Sequence, residues 1–222
     1  MSRLPHVYLP PPWAENLIEL DPQALHHLSK VLRLRDGAAL SYTDGLGNGG
    51  EGILADGAVQ RGPETTEAVA SPQITMAVAP PKHTERARFA VEKLAELGVD
   101  NLVWLETERG EGRPPSPDKA RSWAISALQQ SRGSWLMGLG GPEPMAMLEP
   151  PMWAATLGGG ALPEIGPAVT LVVGPEGGFS PDELEAVDAR VSLGDSTLRT
   201  ETAAVVFSTM VLQASGRIGP SR

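Results

Sequence analysis

The chain has 222 residues, 41% of them apolar, enough to bury a sizeable core in one large domain or in a small and a medium one. It contains no cysteine, which excludes disulfides, thiolate metal sites and a cysteine nucleophile. A net charge of −9 weighs against general nucleic-acid binding, because phosphate contacts draw on Lys and Arg, and leaves that role to local basic clusters.

The N-terminal stretch "MSRLPHVYLPPPW" lacks the apolar run of a secretory signal, and no later run could span a bilayer, so a soluble cytoplasmic protein is expected. "HVYLP" and "NLIELD" read as short strands. "DPQALHHLSKVLRLR" reads as a helix: Asp21 can cap it, Pro22 fits its first turn, and Leu25, Leu28, Val31 and Leu32 fall on one face. Lys30, Arg33 and Arg35 cluster at its end, either as phosphate contacts or as a solvated terminus suited to the helix dipole. "ALSYTDGLGNGGEGIL" suggests a hairpin turning at Asp44-Gly45 or at the glycines after it, and "RGPETTEAVASPQ" a last strand with a polar linker. Residues 1–72 are therefore expected to form a small β-barrel domain with one helix.

Residues 73–222 alternate between strands and helices. "ITMAVAPP" is a buried strand. The helix "HTERARFAVEKLAELG" has Thr84 as its cap, Ala87, Ala90, Val91, Leu94 and Leu97 on one face, and Gly98 as its stop. "NLVWLET" is a strand. "SPDKARSWAISALQQSR" is a helix capped by Ser116, with Ala120, Trp123, Ala124, Ala127 and Leu128 facing inward. "WAATL" and "VTLVV" are strands, residues 181–190 a helix, "RVSL" a strand and "TETAAVVFSTMVLQAS" a final helix. The Pro/Gly-rich pieces at 110–117, 138–151 and 158–167 read as loops. Strands separated by helices predict an α/β fold with a parallel sheet covered on both faces. The four histidines show no metal-ligand spacing, so no metal is expected.

Chemistry concentrates in "LVVGPEGGFSPDELEAV" (171–187). A strand that is apolar on both faces ends at Gly174, at the carboxyl end where open α/β sheets bind ligands. Gly177 and Gly178 permit close backbone approach. Ser180, Pro181 and Glu183 supply a cap, a first-turn proline and the partner of a capping box. Neither a Walker loop nor GxGxxG is present, and Glu176 would repel a phosphate. A cationic ligand without phosphates, such as S-adenosylmethionine, avoids that conflict. A plain strand–helix turn with an exposed glutamate is the alternative. The segment "SLGDSTLRTETAAVVFSTMVLQ" repeats the plan of strand, glycine turn and helix. Its helix is apolar nearly all round and must be buried, in the core or against another subunit. Arg199 stands at the positive end of that helix, where the dipole disfavours a cation.

Together, "GPEGGFSPDELEAV" and "LGDSTLRTETAA" resemble the ribosomal RNA small subunit methyltransferase E family of the SPOUT superfamily. "HHLSKVLRLRDG", "EKLAELGV", "ERG" and "QQSR" resemble its further motifs, in the same order along nearly the whole chain. The resemblance implies a PUA-like RNA-binding β-barrel (1–72) followed by a SPOUT-type α/β trefoil-knot methyltransferase domain (73–222). It implies a homodimer that binds S-adenosylmethionine and methylates N3 of a uridine in 16S ribosomal RNA. The strand before GPEGG reads "ATLGGGAL", whereas that strand in the family often ends in a polar or His/Glu pair.

The cofactor cradle implied is Leu157, Gly174, Pro175, Glu176, Gly177, Gly178, Leu193, Gly194, Leu198 and Thr200, with Leu198 packing on the adenine. Arg199 would stabilise charge on the uracil oxygens, since guanidinium stays protonated, and Glu201 would orient Arg199 or take the N3 proton. Arg3, His27, Lys30, Arg33, Arg35, Arg109 and Arg132 are the expected RNA contacts. Residues 1–70 hold five basic against nine acidic residues, which suggests that the substrate is the RNA within the small ribosomal subunit. The absence of cysteine disfavours attack by a pyrimidine C5, which usually runs through a covalent cysteine adduct. A ribose 2′-O-methyltransferase and a non-catalytic RNA-binding assembly protein of the same fold are the alternatives.

Overall fold

The computed structural model describes residues 4–14 and 16–219. The chain divides into two compact units, Met1–Val69 with Leu128–Leu136, and Ala70–Ala127 with Met137–Arg222.

In the first unit, β1 (His6–Tyr8), β2 (Leu17–Glu19), β3 (Ala39–Thr43), β4 (Asn48–Ala55) and β5 (Ala58–Thr66) form one sheet in the order β1-β3-β4-β5-β2. The hairpin expected at Asp44-Gly45 joins β3 to β4; the Asp44 carboxylate accepts from the backbone N–H groups of Leu46 and Asn48 and so closes the turn. Val7, Leu9, Ile18, Leu28, Leu40, Tyr42, Leu54 and Val59 make the core. The helix expected from Pro22 starts there as α1 (Pro22–His26) but turns into a π-helix over His27–Val31. The widened turn rotates later side chains off the face of Leu28. Of the predicted stripe only Leu28 is buried, while Leu25, Val31 and Leu32 are exposed.

Burial first, then the hydrogen bond and charge of Glu64, push the Tyr42 phenol up to about 12. The fold thus favours the neutral phenol. Its contribution to stability is complete below the ordinary phenol pKa of 10.0 and is lost as pH rises through about 12. A spectrophotometric titration is expected to show one of the two tyrosines ionising only near that upper value.

The second unit is built on a six-stranded sheet whose strand pairs are all parallel, in the order β11-β9-β10-β6-β7-β8. The strands are β6 (Gln73–Val78), β7 (Asn101–Glu106), β8 (Gly138–Pro144), β9 (Met152–Gly160), β10 (Ala168–Val173) and β11 (Ala189–Val191). The helices are α2 (Thr84–Leu97), α3 (Pro117–Ser131), α4 (Pro181–Glu185) and α5 (Thr200–Ala214). The "VTLVV" strand is β10; it lies between β9 and β6, and all five of its apolar or threonine side chains are buried. Gly98 ends α2 in the left-handed conformation at φ 78°, as its position predicts. The N-cap of α2 is His83 rather than Thr84, and it makes no side-chain capping bond. All five residues assigned to the inner face of α3 are buried.

Three stretches depart from the sequence-based expectation. The loop expected at 138–151 contains β8, an edge strand, where glycine and proline are tolerated because one row of backbone groups has no partner strand. The helix expected over 181–190 ends at Glu185, because Asp188 is claimed by the sheet: its backbone N–H donates to the Met152 carbonyl and its carboxylate accepts from the Met152 N–H. β9 runs on to Gly160, into the glycines read as a loop.

After α5 the Arg217 guanidinium donates to Asp100 at 2.6 Å and to the carbonyls of Pro72 and Gly98. Its partners lie on two separate segments, before β6 and between α2 and β7, and the pair is largely shielded from solvent. Arg217→Ala is therefore expected to lower the unfolding free energy by about 1–3 kcal/mol, read from urea denaturation.

Candidate active site

The middle of β9, the carboxyl end of β10, the segment after β11 and the start of α5 surround a cavity of about 460 Å³. Pro175, Glu176 and Gly178 approach from one side, and Leu193, Gly194 and Leu198 from another. The two glycine turns do not follow adjacent strands: β9 lies between β10 and β11, and its Ala155, Thr156 and Leu157 line the same cavity.

The first turn is shaped by its sequence. The Gly178 N–H donates to the Pro175 carbonyl at 2.9 Å, and Gly178 sits at φ 69°, a region most residues avoid. A Cβ on Gly174 would lie 3.0 Å from the Phe179 ring, so any larger residue would push that ring aside by a few tenths of an ångström. The capping box closes α4 as its sequence predicts: Ser180 Oγ accepts from the Glu183 N–H, and the Glu183 carboxylate accepts from the Ser180 N–H at 2.7 Å. The same carboxylate accepts from the Glu108 N–H, tying the loop after β7 to this turn. At the other end, the Thr200 hydroxyl donates to the Gly174 carbonyl at 3.1 Å and joins the two glycine segments.

Of the residues expected around a cofactor, all but Gly177 line this cavity. Gly177 faces away from it: a Cβ there would meet Arg109 Cβ at 3.2 Å. Arg109, expected on RNA, donates instead to the Gly177 and Phe179 carbonyls at 3.3 and 3.2 Å and supports the turn from behind. Leu157, 64% exposed, offers an apolar surface within the cavity lining. Arg199 is the N-cap of α5 and also lines the cavity; its exposed guanidinium has no hydrogen bond or ion pair to any described residue.

The expected Glu201–Arg199 pairing is not present. Glu201 is 6% exposed, does not line the cavity, and faces Arg86, whose Nε lies 3.7 Å from its Oε1. Arg86 also reaches Glu176, Nη1 to Oε1, at 3.8 Å. Sequence reasoning missed Arg86, although a signal was there: it stands in the first turn of α2, where the dipole disfavours a cation, just as Arg199 does on α5.

The remaining expected RNA contacts belong to the first unit. Lys30, Arg33 and Arg35 are exposed, with no side-chain ion pair among the described residues, and His27 is half-buried in the π-helix. Arg132 is committed elsewhere: its guanidinium donates to the Leu4 carbonyl at 2.5 Å and to the Ser41 hydroxyl at 2.9 Å. Arg3 lies outside the described residues. Among those described, no group of three His, Asp or Glu is placed to hold a metal, and no helix is long and apolar enough to cross a membrane.

An α/β sheet with a ligand-sized cavity built from two glycine turns at its carboxyl edge is matched by known proteins. The RNA methyltransferase domain family matches residues 69–149 and 155–212. A ribosomal RNA small subunit methyltransferase E from Synechocystis sp. is 31% identical over 86% of this chain and 71% of its own length. One of the same description from Mycobacterium tuberculosis is 31% identical over 81% of this chain and 80% of its own length. Among solved structures, a probable rRNA methyltransferase from Porphyromonas gingivalis superposes with a TM-score of 0.84 at 31% identity, covering 96% of this chain and 100% of that one. A putative methyltransferase from Legionella pneumophila, solved with bound cofactor SAM, superposes with a TM-score of 0.83 at 26% identity, over 96% and 98% of the two chains. The chain belongs to the ribosomal RNA small subunit methyltransferase E family.

Proposed function

We propose that this protein is an S-adenosylmethionine-dependent methyltransferase that methylates N3 of a uridine in 16S ribosomal RNA. The observation that carries the proposal is the single cavity formed by the segments around Gly174–Gly178 and Leu193–Thr200, with the Thr200–Gly174 hydrogen bond between them. Its volume of about 460 Å³ falls in the usual range for small-molecule sites. Its chemistry suits the cofactor: backbone groups of the two turns for polar recognition, Leu157 and Leu198 for an aromatic ring, and the Glu176 carboxylate in place of a phosphate-seeking lysine. When bound, S-adenosylmethionine supplies an electrophilic methyl group. The chain's own contribution is to align the acceptor nitrogen with that methyl, worth several kcal/mol. The N3 proton passes to solvent, since Glu201 lies outside the cavity lining, and Arg199 is the group assigned to the negative charge that develops on the uracil oxygens.

In the same proposal the second unit is a SPOUT-type trefoil-knot domain and the first a PUA-like RNA-binding barrel, with the functional boundary at 72/73. The enzyme works in the cytoplasm as a homodimer. Val205, Val206 and Met210 of α5 are only partly buried within the chain, which supports an apolar contact between copies. Lys30, Arg33 and Arg35 remain the best candidates for phosphate contact. The acidic background of the first unit supports RNA presented in the small subunit over protein-free RNA.

Mass spectrometry of nucleosides from the 16S RNA of a strain lacking the gene tests the reaction. One N3-methyluridine is expected to be missing and to be restored when purified protein and S-adenosylmethionine are added to the small subunit. An unchanged nucleoside profile, or restored methylation at another atom, would overturn it.

A further inference from the structure

The glycine turn that lines the cavity is held from three directions. Thr200 ties its start through Gly174, Arg109 ties its far side through Gly177 and Phe179, and Arg86 reaches Glu176 between them. Arg86 alone of the three meets a side chain that lines the cavity. Its second carboxylate, Glu201, is buried, and Glu201 Oε2 has no hydrogen-bond partner. A carboxylate in that setting needs a nearby positive charge, and Arg86 is the cation that the structure places beside it. Lys82 is the other cation near Glu176, but its 2.6 Å ion pair is with Glu111, and both of those side chains are largely exposed. The hydrogen bond to Glu111 is the main cause raising the Lys82 pKa, and the charge of Glu176 is the least.

We propose that Arg86 is a positioning residue for methyl-donor binding, holding the Glu176 end of the glycine turn toward α2 and the buried Glu201. It presupposes that the cavity holds S-adenosylmethionine. The separations of 3.7 and 3.8 Å are those of charge attraction rather than hydrogen bonds, so the guanidinium restrains the turn without locking it. Arginine suits this place because its wide planar head meets two carboxylates through different nitrogens, Nε for Glu201 and Nη1 for Glu176. A lysine offers one point charge and cannot span both in the same way.

A double-mutant cycle with Arg86→Gln and Glu176→Gln, read by calorimetric S-adenosylmethionine binding and by steady-state methyl transfer, tests this. Arg86→Gln is expected to raise Kd and the KM for the donor roughly three- to tenfold, with kcat much less affected. In the Glu176→Gln background the same substitution is expected to add little, because the contact through which it acts is already gone. Arg86→Lys should recover part of the affinity. Were Arg86→Gln to unfold the chain by stranding Glu201, the cycle is run in a Glu201→Gln background, where no buried carboxylate remains. Unchanged donor affinity in Arg86→Gln, or effects of the two substitutions that simply multiply, would overturn the proposal and leave Arg86 a purely structural partner of Glu201. Failure of the unsubstituted protein to bind S-adenosylmethionine would instead remove the cofactor assignment, and this inference with it.

Discussion

Arg199→Ala is expected to lower methyl transfer by about a hundred- to a thousandfold while leaving the unfolding transition in place. The two halves of that expectation come from the same geometry. The Arg199 side chain is exposed, lines the cavity, and has no hydrogen bond or ion pair to any described residue, so the fold does not depend on it. Its backbone caps α5, a role that alanine retains by conformation, since the residue sits in ordinary extended space at φ −68° and ψ 153°. A cation beside the acceptor stabilises the negative charge that develops there. Arg199→Lys keeps the charge but loses the planar fork and should recover only part of the rate. Methyl incorporation into small subunits, set beside the thermal midpoint of each variant, reads both halves. Near-normal transfer by Arg199→Ala would remove the role assigned to it.

Gly194→Val is expected to weaken S-adenosylmethionine binding by about tenfold or more, because the backbone itself must move. Gly194 lines the cavity and sits at φ 122°, which side-chain-bearing residues rarely adopt. A Cβ there meets no protein atom within 4 Å, so the penalty is backbone strain rather than a clash with the core. Relieving that strain shifts the 193–198 segment against the cavity. Gly177→Val is a useful contrast. Gly177 lies outside the cavity lining and its Cβ would press on Arg109, so its effect on binding should be indirect and smaller. Calorimetry of the two variants ranks them, and wild-type affinity in Gly194→Val would contradict the placement of the cofactor.

The parts of this site that could be read from the sequence were those set by local rules. Ser180, Pro181 and Glu183 announce a helix start through side chains three residues apart, and the capping box forms as expected. Val169–Val173 announce a central strand because no solvent-facing alternation interrupts them. What local rules do not carry is which distant group meets which. Glu201 looks like a partner for Arg199 two residues away, yet its carboxylate faces Arg86 on α2. Arg132 looks like a free cation, yet it is bound to Leu4 and Ser41. β8 was hidden by its glycines and prolines, which suit a sheet edge and mimic a loop. The π-helix at His27–Val31 leaves no trace in apolar spacing, because the spacing presumes the 3.6-residue turn that the chain departs from there.

A crystal structure of the protein grown with S-adenosylmethionine bears most directly on the central claim. The cofactor is expected between the Gly174–Gly178 turn and the Leu193–Thr200 segment, its methyl group open toward Arg199. Density for the cofactor at any other place on the chain would contradict the account.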